Sequence, residues 1–263
     1  GSISAIAVGE GLGIDARSFY GDVSVDNASD IEAVGIVLGA RGINAAAYSG
    51  GLVDVDNSGD IYAGSLYGAS IGIYGYSVGG DVSIDNSGDI TAISYYDLAD
   101  GIFASGANVE IDNSGEIEAV GYYWAAGIEA ESTGVTDVDN SGDIYAAVTD
   151  VGTSFGIYAT GADVTVSNTG NIEAQGYSAT GIEAQSYGDV SVTNDGNIIG
   201  GSLTSVYDYY SGNTYLYGSL VGAGINASSN GEGAAVSVTN SGDISSQGYY
   251  GATGIAATAG GTN

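Results

Sequence analysis

A short residue pattern recurs along almost the whole chain and restricts its fold more than any other feature. The pattern reads Val-x-Val/Ile-x-Asn-x-Gly-x-Ile, and most copies follow one another at intervals of about 26 to 30 residues. The copies are marked by Asn27, Asn57, Asn86, Asn113, Asn140, Asn168, Asn194 and Asn240. A second motif, Gly-Ile-x-Ala or a close variant, alternates with the first. Two motifs that share one period predict a stack of similar units.

Within each unit, apolar and polar residues alternate in short segments. In one unit, Val82-Ser83-Ile84-Asp85 precedes the asparagine, Ile90-Thr91-Ala92 follows it, and Gly72-Ile73 begins a third segment. Alternation with a period of two is typical of half-buried strands, and the connections are too short for hairpins, so strands of successive units should pair in parallel. We predict an all-β fold: a parallel β-helix (β-solenoid) with three short strands per coil and about nine coils. It should form a single continuous body over residues 1–263, open at both ends.

The repeated spacing of asparagine and glycine predicts a tight corner in every coil. We expect the eight asparagines to form a ladder in which their amides bond to the corner backbone and to one another. Glycine stands two residues after the asparagine in every copy except the first, which has Ser29. Because glycine adopts positive φ without a Cβ penalty and asparagine tolerates left-handed angles, we expect such backbone angles at this corner.

The charge of the chain restricts its partners. The sequence has 32 acidic residues, Arg17 and Arg41 as its only basic side chains, and a formal net charge of −30. Nucleic acids and anionic membranes are bound by clustered Lys and Arg, so we expect neither as a partner. No apolar run is long enough to cross a bilayer, and the N-terminus has no leader-like segment, so we expect a mature protein or a fragment without membrane insertion.

Acidic residues flank the asparagine in most coils and should stack one coil apart. Like charges at that spacing repel, and calcium would relieve the repulsion. The candidate calcium ligands are Asp56, Asp60, Asp85, Asp89, Asp139 and Asp143. Their spacing matches neither an EF-hand loop nor the nonapeptide repeat of calcium-binding β-rolls, so a solvated acidic face is the alternative. We expect no other cofactor.

The repeat varies most between the Ile-x-Ala segment and the next Gly-Ile. This stretch is rich in tyrosine, and between Asn194 and Asn240 it is lengthened by residues 201–219, which we predict to be a lateral loop insertion. Such insertions in solenoids often form the binding face. Candidate binding residues are Tyr122, Tyr123, Trp124, Tyr207, Tyr209, Tyr210, Tyr215 and Tyr217. Three interpretations fit: stacking on sugars, lateral packing against another rod, or simple cover for the flank of the helix.

The repeat as a whole is similar to a known group of proteins. The segments Gly101-Ile102-Phe103-Ala104 and Val109-Glu110-Ile111-Asp112-Asn113-Ser114-Gly115-Glu116-Ile117-Glu118-Ala119 resemble the passenger region of bacterial autotransporter and haemagglutinin-like surface proteins. This resemblance covers nearly the whole chain. It implies export to the bacterial cell surface, a rod-like β-helix, and adhesive, matrix or structural work.

Catalysis is the main rival to a structural function, since parallel β-helices also include polysaccharide lyases and hydrolases. The carboxylates here repeat in nearly every coil, whereas a catalytic cluster should interrupt the repeat at one place. The chain has no histidine for a Ser-His-Asp triad.

We therefore predict a non-enzymatic extracellular rod, a segment of a surface adhesin or fibre. The alternatives are a carbohydrate-binding rod that uses the tyrosine-rich corner and a polysaccharide-active enzyme. Expected partners are further coils of the same chain, identical copies stacked end to end, and glycans or host surfaces.

Overall fold

The computed structural model describes residues 1–208 and 213–260, with side chains described outside residues 203–217. Within these residues the fold is an all-β parallel solenoid, which confirms the predicted fold class. Three parallel sheets run along its length, here called sheets A, B and C, and each complete coil contributes one strand to each sheet. The chain makes about eight full turns.

The strands are assigned to the sheets in coil order. Sheet A contains β1 (Ser2–Ala7), β4 (Asp30–Gly35), β7 (Ile61–Ser65), β10 (Ile90–Ser94), β13 (Ile117–Gly121), β16 (Ile144–Val148), β19 (Ile172–Gln175), β22 (Ile198–Gly200) and β27 (Ile244–Ser246). Sheet B contains β2 (Glu10–Ser18), β5 (Gly39–Ala47), β8 (Ser70–Ser77), β11 (Ala99–Gly106), β14 (Trp124–Ser132), β17 (Thr153–Gly161), β20 (Ser178–Ser186), β25 (Val221–Ser229) and β28 (Gly251–Ala259). Sheet C contains β3 (Val23–Asn27), β6 (Val53–Asn57), β9 (Val82–Asn86), β12 (Val109–Asn113), β15 (Val135–Asn140), β18 (Asp163–Asn168), β21 (Val190–Asn194) and β26 (Val236–Asn240).

The three corners of each coil have different characters. The asparagine corner joins sheet C to sheet A and carries the Asn-x-Gly sequence. The tyrosine corner joins sheet A to sheet B and contains the variable segment, and the third corner joins sheet B to sheet C. Between β22 and β25 the tyrosine corner includes two antiparallel strands, β23 (Leu203–Asp208) and β24 (Asn213–Gly218). Within the described residues there is no helix that could span a membrane.

The core is a set of aliphatic columns that run parallel to the rod axis. The isoleucines of the Gly-Ile motif pair in strict register, so that Ile73, Ile102 and Ile128 lie directly above one another and are 0% exposed. Burial requires a coil on each side: Ile225 is 0% exposed, whereas Ile255 in the same column, covered within the described chain from one side, is 45% exposed. Stacking between coils therefore supplies the burial that a single coil lacks.

The corner glycines have a different cause from the predicted one. No non-glycine residue in the described chain has positive φ, and the positive-φ glycines lie elsewhere, so the expected left-handed asparagine corner is wrong. A Cβ atom at Gly115 would instead lie 2.0 Å from the carbonyl oxygen of Gly88 in the preceding coil. Glycine is required because the backbones of successive corners approach closely. Ser29 stands in the first asparagine corner of the described chain, and the Cβ that an alanine would place at Gly59 in the next corner would lie 2.2 Å from the Ser29 carbonyl oxygen.

Candidate functional site

The asparagine corner is held by a continuous hydrogen-bond ladder. Each of the eight side-chain amides donates to the carbonyl oxygen of the residue two positions later, at 2.6–2.8 Å. Each of the first seven also donates to the Oδ1 atom of the asparagine in the next coil, at 2.7–2.8 Å. These seven asparagines are at most 5% exposed. Both amide hydrogens are used, which makes this corner a buried polar network rather than a surface turn.

Most of the acidic residues three positions after the asparagine cap the backbone of the next coil. The Oδ1 atom of Asp60 accepts from the Asp89 amide at 3.1 Å, and Oδ1 of Asp89 accepts from the Glu116 amide at 2.9 Å. Asp143 likewise accepts from the Asn171 amide at 2.8 Å. Half of the predicted calcium ligands therefore already bind backbone N–H groups. Asparagine performs the same task further along the column, where Oδ1 of Asn171 accepts from the Asn197 amide at 3.3 Å.

The other predicted calcium ligands lie on the outer face of sheet C. Asp56, Asp85 and Asp139 are exposed and belong to one in-register column that also contains Asp112. Partial burial, followed by the charge of Asp139, raises the pKa of Asp112, as expected for stacked like charges. Among the described residues no group of three or more acidic side chains converges in a way that could hold a metal ion. Calcium binding stays a prediction, because carboxylate spacing along a sheet does not by itself form a coordination shell.

The tyrosine corner presents aromatic side chains to solvent on consecutive coils. Tyr67 and Tyr96 stack with ring centroids 5.4 Å apart, and Tyr96 is 5.8 Å from the ring of Tyr122. The predicted binding residue Tyr123 is 47% exposed, and its hydroxyl donates to Asp97 at 2.5 Å. That bond raises the pKa of the Tyr123 hydroxyl. The other exposed members, between 37% and 77%, are Ile36, Val37, Leu38, Leu66, Tyr67, Tyr95, Tyr96, Val151, Tyr177, Tyr249 and Tyr250.

The remaining predicted binding residues are placed differently. Tyr209 and Tyr210 lie outside the described residues, as do the side chains of Tyr207, Tyr215 and Tyr217. Their proposed role in binding stays a prediction. Trp124, by contrast, lies at the end of the tyrosine corner where β14 begins, and its indole is directed onto the outer face of sheet B.

Sheet B carries a cluster on its outer face that the sequence interpretation missed. The indole Nε1 of Trp124 lies 3.2 Å from Oδ1 of Asp100 and 3.2 Å from Oε2 of Glu129. The indole also packs against Phe155 and Tyr158, with centroids 5.0 and 5.9 Å away. Asp100 is only 2% exposed. We call these five residues the indole cluster.

Burial strongly affects ionisation in the indole cluster. It raises the pKa of Asp100 well above its usual value, with a further contribution from the charge of Glu129. Burial, together with the charge of Glu131, raises the pKa of Glu129 to about 7. The two arginines do not offset these charges, since Arg17 pairs with Asp15 at 2.7 Å and Arg41 with Glu10 at 2.9 Å.

The sequence contained a signal for this cluster. Asp100 occupies the position before the glycine of the Gly-Ile motif, where the next two coils have Ala126 and Phe155. Aligning the motif copies would have shown Asp100 as a lone carboxylate in a column that otherwise holds Arg41 and uncharged residues. Because Asp100 pairs with Ala126 on β14, the alignment would also have placed it near Glu129, three residues further along that strand.

Comparison with known families agrees with this architecture. Residues 43–263 match the model of a family described as the BigA third pectate lyase-like domain. The chain belongs to this family. The family takes its name from a domain of the bacterial surface protein BigA. This match agrees with the predicted β-helical surface protein, but it does not identify the chain as part of an autotransporter. Comparison with curated proteins and with solved structures returned no match.

Proposed function

We propose that this chain is a structural and adhesive rod at the bacterial cell surface, which presents its tyrosine corner to partners. The observation that carries the proposal is the row of exposed tyrosine and aliphatic side chains along one corner of an otherwise regular solenoid. Exposed apolar surface of this extent, edged by polar groups, is typical of interaction sites. Membership in a family named for a bacterial surface protein supports the extracellular location.

Carbohydrate is the partner class that the corner geometry favours. Tyr95, Tyr96, Tyr123 and Tyr177 are between 45% and 66% exposed, so a partner can reach a large part of each side chain. Tyrosine combines an apolar face with a polar tip, as stacking on a sugar requires. Cationic protein partners form a second class, because the net charge of −30 repels anionic surfaces.

Glycan-array and cell-adherence assays test the proposal. A triple variant, Tyr95→Ser with Tyr96→Ser and Tyr123→Ser, should lose at least about tenfold in binding, because hot-spot aromatics dominate such contacts. The matched control replaces Tyr20 and Tyr187, which are 92% and 77% exposed at the third corner, with serine. Binding that falls equally in both variants, or in neither, would contradict a role for the tyrosine corner.

We also propose that the chain is not an enzyme. Most of the repeated carboxylates at the asparagine corner cap backbone amides of the next coil, a structural use that accounts for their periodicity. Asp100 and Glu129, which share the Trp124 indole, are a carboxyl pair that interrupts the repeat and so could be tested for catalysis. Incubation with pectate, the polysaccharide in the family description, should release no reducing or unsaturated ends. Release that disappears in Glu129→Gln would overturn this part of the proposal.

A further inference from the structure

The indole cluster places two carboxyl groups on a single hydrogen-bond donor. Asp100 comes from β11, whereas Trp124 and Glu129 come from the neighbouring strand β14. The indole has one N–H, and it lies at the same 3.2 Å distance from both acceptors. A single hydrogen cannot make a well-aligned bond to both oxygens. Asp100 also accepts a backbone hydrogen bond from Ala126, so Glu129 is the carboxyl group left poorly compensated when the indole bonds to Asp100.

Asp100 is buried and Glu129 is partly buried. Arg41, which lies in the column of Asp100 two coils away, is paired with Glu10 rather than with either carboxyl group. Phe155 and Tyr158, both from β17, pack against the indole. The other titratable groups that act on this region are all acidic or phenolic: Glu131 on β14, Tyr158 on β17 and Glu183 on β20. Tyr74 and Tyr76 stand on β8, the next strand on the other side of β11. Burying two carboxylates without a cation is costly, and the usual solution is to retain a proton.

We propose that Asp100, Glu129 and Trp124 form a proton-controlled latch on the outer face of sheet B. While the carboxyl pair carries a proton, the indole stays docked against Phe155 and Tyr158. When the pair loses its last proton, repulsion between the two carboxylates separates β11 and β14 locally and the indole becomes accessible to water. Trp124 directly follows Tyr122 and Tyr123, so the latch connects proton binding to one end of the tyrosine corner.

The direction of the effect follows from proton linkage. The folded chain binds the proton more tightly than the unfolded chain, because burial raises the pKa of both carboxyl groups. The stability contributed by the latch is therefore full below the ordinary carboxyl range. It is lost as the pH rises towards the raised value, about 7 for Glu129.

Trp124 is the only tryptophan in the chain, so its fluorescence reports on this one site. With excitation selective for tryptophan, a rise from about pH 5 to pH 9 should give a red shift and about a twofold rise in acrylamide quenching. The midpoint should lie at or above the pKa of about 7 for Glu129, because burial also raises the pKa of Asp100. Glu129→Gln and Asp100→Asn each remove one ionisable group while preserving shape. Both variants should keep the low-pH emission throughout. The control Glu118→Gln, on the exposed outer face of sheet A in the same coil, should titrate like the wild type.

Any other pattern overturns the proposal: an absent wild-type transition, or a transition that persists in either cluster variant. Far-UV circular dichroism verifies that each variant retains its strands.

An infrared measurement on the unaltered chain tests the proposal even if the variants do not fold. The infrared band of a protonated carboxyl should be present at about pH 6 and absent at about pH 9. A wild-type chain without that band at the lower pH would also overturn the latch.

Discussion

The asparagine corner and the tyrosine corner connect neighbouring sheets in every coil, yet they obey different rules. From each asparagine to the next isoleucine the asparagine corner has the same length in all eight copies, as from Asn113 to Ile117. The tyrosine corner extends from Ala174 to Ile182 in one coil and from Gly200 to Ile225 in the next. One corner is buried and uniform, whereas the other is exposed and variable.

The difference follows from where the polar groups find their partners. In the asparagine corner each of the first seven amides bonds both within its own coil and to the next coil, as Asn113 does, so one added residue would displace it from two acceptors. In the tyrosine corner the exposed groups can be satisfied by water, and an insertion costs little. The rod thus confines sequence variation, and with it the capacity to recognise partners, to one edge.

The largest effect should come from breaking the asparagine ladder in the middle of the rod. Asn113→Ala removes donors to Gly115 and Asn140 and the acceptor used by Asn86. Because these groups are buried and would be left unpaired, we expect a loss of about 3 to 5 kcal/mol in the free energy of unfolding. Urea denaturation followed by circular dichroism measures this loss.

The matched control for the ladder is Asn108→Ala in the same coil. Asn108 is an exposed asparagine of the third corner, which also bonds to neighbouring coils through Asp81 and Val135. Water can replace its partners, so its loss should cost less than about 1 kcal/mol. Similar losses at Asn113 and Asn108 would contradict the idea that burial distinguishes the asparagine corner.

The second prediction tests the close approach of corner backbones. In Gly115→Ala the new Cβ would lie 2.0 Å from the Gly88 carbonyl oxygen, so the backbones must separate, at a cost of about 1 to 3 kcal/mol or more. In Gly64→Ala, just before a tyrosine corner, the nearest atoms belong to the end of the Tyr62 side chain, which is 40% exposed and can move. That variant should be neutral or slightly stabilising. Equal costs in the two variants would show that packing between corners does not require the glycine.

The contrast between corners also explains what the sequence could and could not predict. The solenoid followed from period and alternation, both local properties of the chain, and the asparagine spacing correctly suggested bonds between coils. The reason for glycine was misjudged at positions such as Gly115, because a requirement for positive φ and a requirement for no Cβ select the same residue. Only the distance between two coils separates these causes, and that distance is not a local property.

The indole cluster was missed for a related reason. Asp100 and Glu129 are 29 positions apart in the chain and belong to different strands, and the indole of Trp124 lies within 3.2 Å of both. Nothing within one repeat copy indicates that contact. The interpretation of Trp124 as a corner aromatic therefore placed it in the correct coil but assigned it to solvent rather than to sheet B.

The third prediction concerns the tyrosine corner itself. Tyr96 lies between the rings of Tyr67 and Tyr122, so Tyr96→Ser removes two aromatic contacts but leaves no buried polar group unpaired. We expect a loss of only about 0.5 to 1 kcal/mol in unfolding free energy. Urea denaturation is the measurement. A cost as large as that of Asn113→Ala would mean that the tyrosines hold the rod together, which would favour the structural interpretation of this corner over recognition.

The smallest effect is expected at Asp89, which caps the Glu116 amide at the edge of the asparagine corner. Asp89→Asn keeps an acceptor oxygen at that position, as Asn171 and Asn197 do in the same column, and removes one charge between Asp60 and Glu116. Relief of repulsion should stabilise the fold by about 0.5 kcal/mol or less, and salt should diminish the gain.

Urea midpoints at low and high salt, each with and without a chelator, test both the cap and the calcium alternative. If calcium bound here, chelation would destabilise the wild type and the substitution would be harmful, because a charged ligand would be lost. A midpoint that is insensitive to chelator and slightly raised by Asp89→Asn would show that the carboxylate serves as a backbone cap, a task for which its charge is unnecessary.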